Sequence, residues 1–63
     1  MRKDIKNIVN NLALQCGLNF RILECYNLIL NYCKKNKIRP TKNDYKIKNG
    51  CLFINNKFIK RVN

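Results

Sequence analysis

Histidine and tryptophan are absent from this 63-residue chain, and only three carboxylates, Asp4, Glu24 and Asp44, stand against its 14 lysines and arginines. General acid–base and nucleophilic catalysis draw on histidine and on groups of carboxylates, so the chain has almost no raw material for either. A catalytic role is therefore not expected. No apolar run approaches the ~18 residues that a membrane-spanning helix needs, and the opening "MRKDIKNIVNN" has no apolar signal-peptide core. The expectation is a soluble protein of a reducing compartment, cytoplasm or organelle matrix, neither secreted nor bound to membrane. Four cysteines are present, Cys16, Cys25, Cys33 and Cys51, but no pair has the roughly two-to-four-residue spacing of a structural zinc site. They read more simply as reduced, small core residues, with two disulfides as the alternative, and neither metal nor cofactor is expected.

What the chain has in quantity is positive charge, a formal +11. Residues 1–33 carry Arg2, Lys3, Lys6 and Arg21 against Asp4 and Glu24, a net +2. Residues 34–63 carry ten basic residues against Asp44 alone, a net +9. Frequent Lys, Asn and Ile fit an AT-rich coding source, yet such a bias would charge both halves alike. The asymmetry points instead to a polyanionic partner, nucleic acid first. A single domain of this length hides only roughly 60% of the surface its unfolded chain exposes, so its core is thin and part of its order can come from what it binds.

From Asp4 to Cys16 the apolar residues Ile5, Ile8, Val9, Leu12, Ala13 and Cys16 step by three and four, the spacing of one helical stripe. Gly17 supplies a stop, and Asn19 can cap a second helix. The two helices are expected over about residues 4–16 and 20–35. The second has a main stripe of Ile22, Cys25, Tyr26, Ile29, Tyr32 and Cys33, and Leu23, Leu28 and Leu30 widen it beyond one face. Either the C-terminal part of the chain covers the extra side or another molecule does, which makes Leu23, Tyr26, Leu28 and Leu30 candidate protein contacts.

Pro40 ends the helical pattern and opens an extended connector, where Lys34, Lys35, Lys37, Arg39 and Lys42 cluster. The period then changes to two. Asn49-Gly50 is a strong type I′ hairpin signal and Asn55-Asn56 a weaker one, giving strands at about 45–48, 51–54 and 57–62. The predicted fold is α+β, with two helices packed on a three-stranded antiparallel meander. Two-residue turns would set Tyr45 opposite Ile54, Ile47 opposite Leu52 and Leu52 opposite Ile59, all facing the helices. The other face would then collect Lys46, Lys48, Cys51, Phe53, Phe58, Lys60 and Val62. Two adjacent phenylalanines among lysines are unlike an ordinary solvated face: the rings can stack on unpaired bases while the lysines meet phosphates. A cross-strand Phe pair covered by the termini or by another molecule is the bland alternative.

In order, helix, "CGL", helix, basic connector and "YKIKNG" strand resemble the small RNA-binding domain named after ribosomal protein S-four, also called the αL motif. Gly17-Leu18 is followed at the family's interval by Glu24-Cys25 and Leu28-Ile29. "NKIRP" at 36–40 stands where the family has Asn-Gly-Lys-x-Val-x-Pro, and "YKIKNGCLFI" is similar to its closing strand. The similarity spans about residues 12–54. It implies contacts to structured RNA, of the ribosomal or transfer kind, from Arg21 and from the connector between Lys34 and Arg39. Tyr26 and Asn27 occupy positions that are usually basic, which turns that part of the helix towards protein contact. The expected function is thus a small non-enzymatic RNA-binding protein. A protein–protein module or homo-oligomer built on the second helix is a second reading, and winged-helix-like DNA binding is a third.

Overall fold

Residues 2–63 are described by a computed structural model. The elements run α1 (Lys3–Cys16), α2 (Ile22–Asn36), a single 3-10 turn (Lys42–Asp44), β1 (Tyr45–Lys48), β2 (Cys51–Ile54) and β3 (Lys57–Arg61). The three strands form one antiparallel sheet in the order β1-β2-β3, so the α+β class expected from sequence is the class observed.

In α1 the stripe Ile5, Ile8, Val9 and Leu12 is buried, and the helix packs on both α2 and β1. Gly17 closes it at φ 82°, and its N–H donates to the Ala13 carbonyl at 3.1 Å. Glycine tolerates that left-handed backbone at little cost. The start of α2 differs from expectation. Asn19 itself lies at φ 68°, whereas an N-cap needs extended backbone. It therefore extends the turn, Phe20 packs half-buried outside the helix, and Arg21 becomes the first flanking residue. At the far end Lys37 adopts φ 54°, with its N–H towards Lys34 O at 3.4 Å and the Ile38 N–H on Cys33 O at 3.1 Å. This is a Schellman close made without the usual glycine. The connector then coils once, at Lys42–Asp44, where continuous extended chain was expected.

Both hairpin turns have positive φ at both central residues: 54° and 76° at Asn49-Gly50, 53° and 66° at Asn55-Asn56. Type I′ turns require this. The β1–β2 register is the predicted one, Tyr45 opposite Ile54 and Ile47 opposite Leu52. The β2–β3 register is not. Phe53 opposes Phe58, but the pairing then slips, so that Leu52 opposes Lys60 and Cys51 opposes Arg61. Ile59 is the extra residue of a β-bulge, and beyond it each side chain of β3 changes face. Lys60 turns to the helix side, Arg61 to the open side, and Val62, just past the strand's end, enters the core at 0% exposure. The expected Leu52–Ile59 pair, the placing of Lys60 and Val62 on the open face, and a strand reaching residue 62 are all corrected by this one slip. Its physical reason is burial: an unbulged strand would leave Val62 in water, whereas enclosing a valine side chain is worth roughly 1.5–3 kcal/mol.

Val62 also ties the molecule together through its backbone. Its N–H donates to Gly50 O at 2.9 Å, and its carbonyl accepts from Arg21 N–H at 2.8 Å. It shares one buried core with Ile5, Cys25, Ile29, Cys33, Leu52 and Ile54, in which the Tyr45 hydroxyl lies 3.4 Å from the Cys33 thiol. Tyr26 belongs to the same core. It is only 8% exposed, and its hydroxyl accepts the Arg2 N–H at 2.8 Å.

Candidate nucleic-acid interface

The observed register arranges the open face of the sheet in two rows. Lys46, Phe53 and Phe58 lie opposite one another across the three strands, and Lys48, Cys51 and Arg61 form the next row. No carboxylate belongs to either row. Lys46, Lys48, Phe58 and Arg61 are exposed, while Phe53 and Cys51 are half-buried. The two phenylalanines meet edge to face, ring centroids 5.9 Å apart at 77°, which fixes Phe58 with its ring 59% exposed. An edge-to-face contact holds the second ring by its rim and leaves a face free for another flat group.

Alternation alone gives Arg61 no place on this face. A usable signal was there: Ile59 and Val62 are three residues apart, so both can point inward on one strand only if a residue is skipped. Lys60 was placed on this face from sequence and is instead paired to Glu24 of α2. Glu24 is clasped from a second side by Arg21, 3.4 Å away. The hydrogen bond from Lys60, with its charge, holds the Glu24 carboxyl below the usual carboxylate range. Arg21 and Lys60 therefore share the one carboxylate of Glu24, which leaves only part of their combined charge for a phosphate.

The connector cations are differently placed. Lys34, Lys35, Lys37, Arg39 and Lys42 are all exposed, and among the described residues none meets a carboxylate within salt-bridge distance. The Schellman close at Lys37 turns the chain sharply, so three of these side chains project from one helix end. Lysines at a helix C-terminus also sit well with its partial negative charge. The third acid pair, Arg2–Asp4 at 2.8 Å, lies at the opposite end of the sequence, and the guanidinium hydrogen bond lowers the Asp4 carboxyl.

Of the candidate protein contacts, only Leu23 stays exposed, at 67%. Tyr26 is core, and Leu28 and Leu30 are half-buried against it. Exposed apolar side chains lie at the junction of α1 and α2, Leu14 at 85%, Leu18 at 89%, Ile22 and Leu23, with Ile38 of the connector and Phe58 of the sheet exposed elsewhere. The sequence placed Leu14 and Leu18 in no stripe, which was itself the sign that neither has an inward place.

Among the described residues no three Cys, Asp or Glu side chains come together in a way that could hold a metal ion, and all four cysteines are free. Burial pushes the Cys25 thiol up to about 12. No helix among the described residues is long and apolar enough to cross a membrane. Fold and site together define a two-layer α+β chain with an unneutralised basic end and a basic, aromatic sheet face. No family model matches it, and no curated protein or solved structure is significantly similar.

Proposed function

We propose that the protein is a small, non-enzymatic RNA-binding protein, associated with ribosomal or transfer-type RNA in the cytoplasm or an organelle matrix. Phosphates are held by the connector cations and by Lys46, Lys48 and Arg61 of the sheet face. The observation that carries this reading is one of pairing. Among the described residues, Lys60 alone of the ten cations between Lys34 and Arg61 meets a carboxylate. Unneutralised charge at this density repels itself in the folded state, and a polyanion relieves that repulsion while releasing its own counterions. The exposed Phe58 adds a stacking surface, and the similarity to the S-four domain favours RNA over DNA. Duplex DNA is the weaker reading, because α2 offers bases only Asn27, Asn31, the late lysines Lys34 and Lys35 and an Arg21 already engaged with Glu24, while most of its surface is apolar.

The test is binding of reduced protein to structured RNA, single-stranded RNA and duplex DNA across a salt series, beside the variant K34Q/K35Q/K37Q/R39Q. Six to ten phosphate contacts weaken binding by roughly 10³- to 10⁵-fold between about 50 and 200 mM salt. The expected outcome is a preference for RNA, with affinity and salt slope both reduced in a variant that remains folded. Binding no tighter than any strongly cationic protein shows would contradict it. A protein-contact function has its own observation, the Leu14, Leu18, Leu23 corner. Sedimentation of wild type against L14Q/L18Q tests self-association there, a concentration-dependent mass in wild type alone supporting it.

A further inference from the structure

A cleft of about 310 Å³ opens between the C-terminal half of α2 and the β2–β3 turn, on the helix side of the sheet and away from the phenylalanine rows. Its floor is apolar, from Ile54 and Ile59, the latter the bulge residue. Lys35 comes from α2 and Lys57 from β3, and neither meets a carboxylate. Tyr32, Asn36 and Asn55 complete the wall. Asn36 donates its side-chain N–H to the Tyr32 carbonyl at 2.8 Å, and Asn55 donates to the Tyr32 hydroxyl at 3.0 Å. These two bonds orient both amides. Among the described residues each Asn Oδ1, on an exposed side chain, is left as an acceptor without a protein partner, and the Tyr32 O–H is left as a donor.

We infer that this cleft is a binding site for a single unpaired nucleotide, with the base on the isoleucine floor and the 5′-phosphate held by Lys35 and Lys57. A bare anion would use only the two ammonium groups. An apolar floor bearing a few convergent polar groups is the make-up of a small-molecule pocket, and this volume is at its lower size limit. The two orphan Oδ1 acceptors select the base: they suit an exocyclic amino group, present on cytosine and adenine and lacking in uracil and hypoxanthine. The bulge borders this site: Ile59, the residue it inserts, keeps the inward place that alternation from Phe58 gives it. The choice of ligand class rests on the RNA reading, but the site is testable without RNA.

The probes are CMP, UMP, AMP, IMP, cytidine and inorganic phosphate at millimolar concentration, followed through the side-chain amide resonances of Asn36 and Asn55. CMP and AMP should shift both amides and bind at least about 5-fold more tightly than UMP and IMP, a discrimination within the range of one or two hydrogen bonds. K57Q should weaken CMP by about 5-fold while leaving cytidine unchanged, since it removes only a phosphate contact. Y32F keeps the ring and tests the hydroxyl with little risk to folding. Phosphate binding as well as CMP would overturn the nucleotide assignment and leave an anion cleft. No shift with any probe would overturn the site itself, whereas failure of the RNA reading would show separately, as loss of preference in the salt-series assay.

Discussion

Lys60, Arg61 and Val62 show how much one residue of register decides. By sequence alternation Lys60 and Val62 belong to the open face and Arg61 to neither site; in the folded chain Arg61 is open, Lys60 is tied to Glu24 and Val62 is enclosed. Two consequences separate these placements. Arg61→Gln should lower RNA affinity and reduce the salt slope by about one, while Lys60→Gln should reduce it by less, because Lys60 shares the one carboxylate of Glu24 with Arg21. Filter binding or anisotropy at several salt concentrations reads both, and equal losses would contradict the bulge. Val62→Ala should cost roughly 2 kcal/mol in denaturant unfolding, as for loss of buried methyl groups, whereas on an open face it would be nearly neutral. The competition between a turn rule and the burial of a penultimate valine is not local, which is why alternation alone misread it.

The elements themselves were largely legible, because each rests on a short-range pattern. The buried stripe of α1, the Asn49-Gly50 turn and the β1–β2 register follow from periods and turn chemistry that need no tertiary context. The start of α2 was misjudged because asparagine suits both an N-cap and a left-handed turn, and Arg21's bond to Val62, a long-range contact, favours the later start. The end of α2 carries a prediction of its own. Lys37 holds a left-handed backbone that costs a side-chain-bearing residue about 1 kcal/mol. Lys37→Gly should therefore raise the thermal midpoint even as it removes a connector charge and weakens RNA binding. A fall in the midpoint would show that the Lys37 side chain stabilises the helix end by contacts that outweigh its backbone strain.

For the whole molecule, buried thiol and phenol groups set the alkaline limit of stability. The Cys25 thiol ionises near 9 when unfolded but is pushed up to about 12 by burial, and burial with the Cys33 contact raises the Tyr45 hydroxyl as well. Above pH 9 the unfolded chain thus holds fewer protons than the folded one, so stability falls as pH rises through that window. Under reducing conditions the drop in thermal midpoint between about pH 8 and about pH 10 should be smaller in Cys25→Ala than in wild type, whatever constant cost the substitution brings. An equal drop would remove Cys25 from the explanation. The charge asymmetry of the chain was readable at this scale from composition alone. Which cations are neutralised was not, since Glu24 meets Lys60 only across the fold. The measurement that bears most directly on the central claim is amide chemical-shift mapping during titration with a structured RNA. Shifts should concentrate at residues 34–42 and at Lys46, Phe53, Phe58 and Arg61, and spare Leu14, Leu18 and Leu23; shifts confined to that leucine corner, or none at saturating RNA, would contradict it.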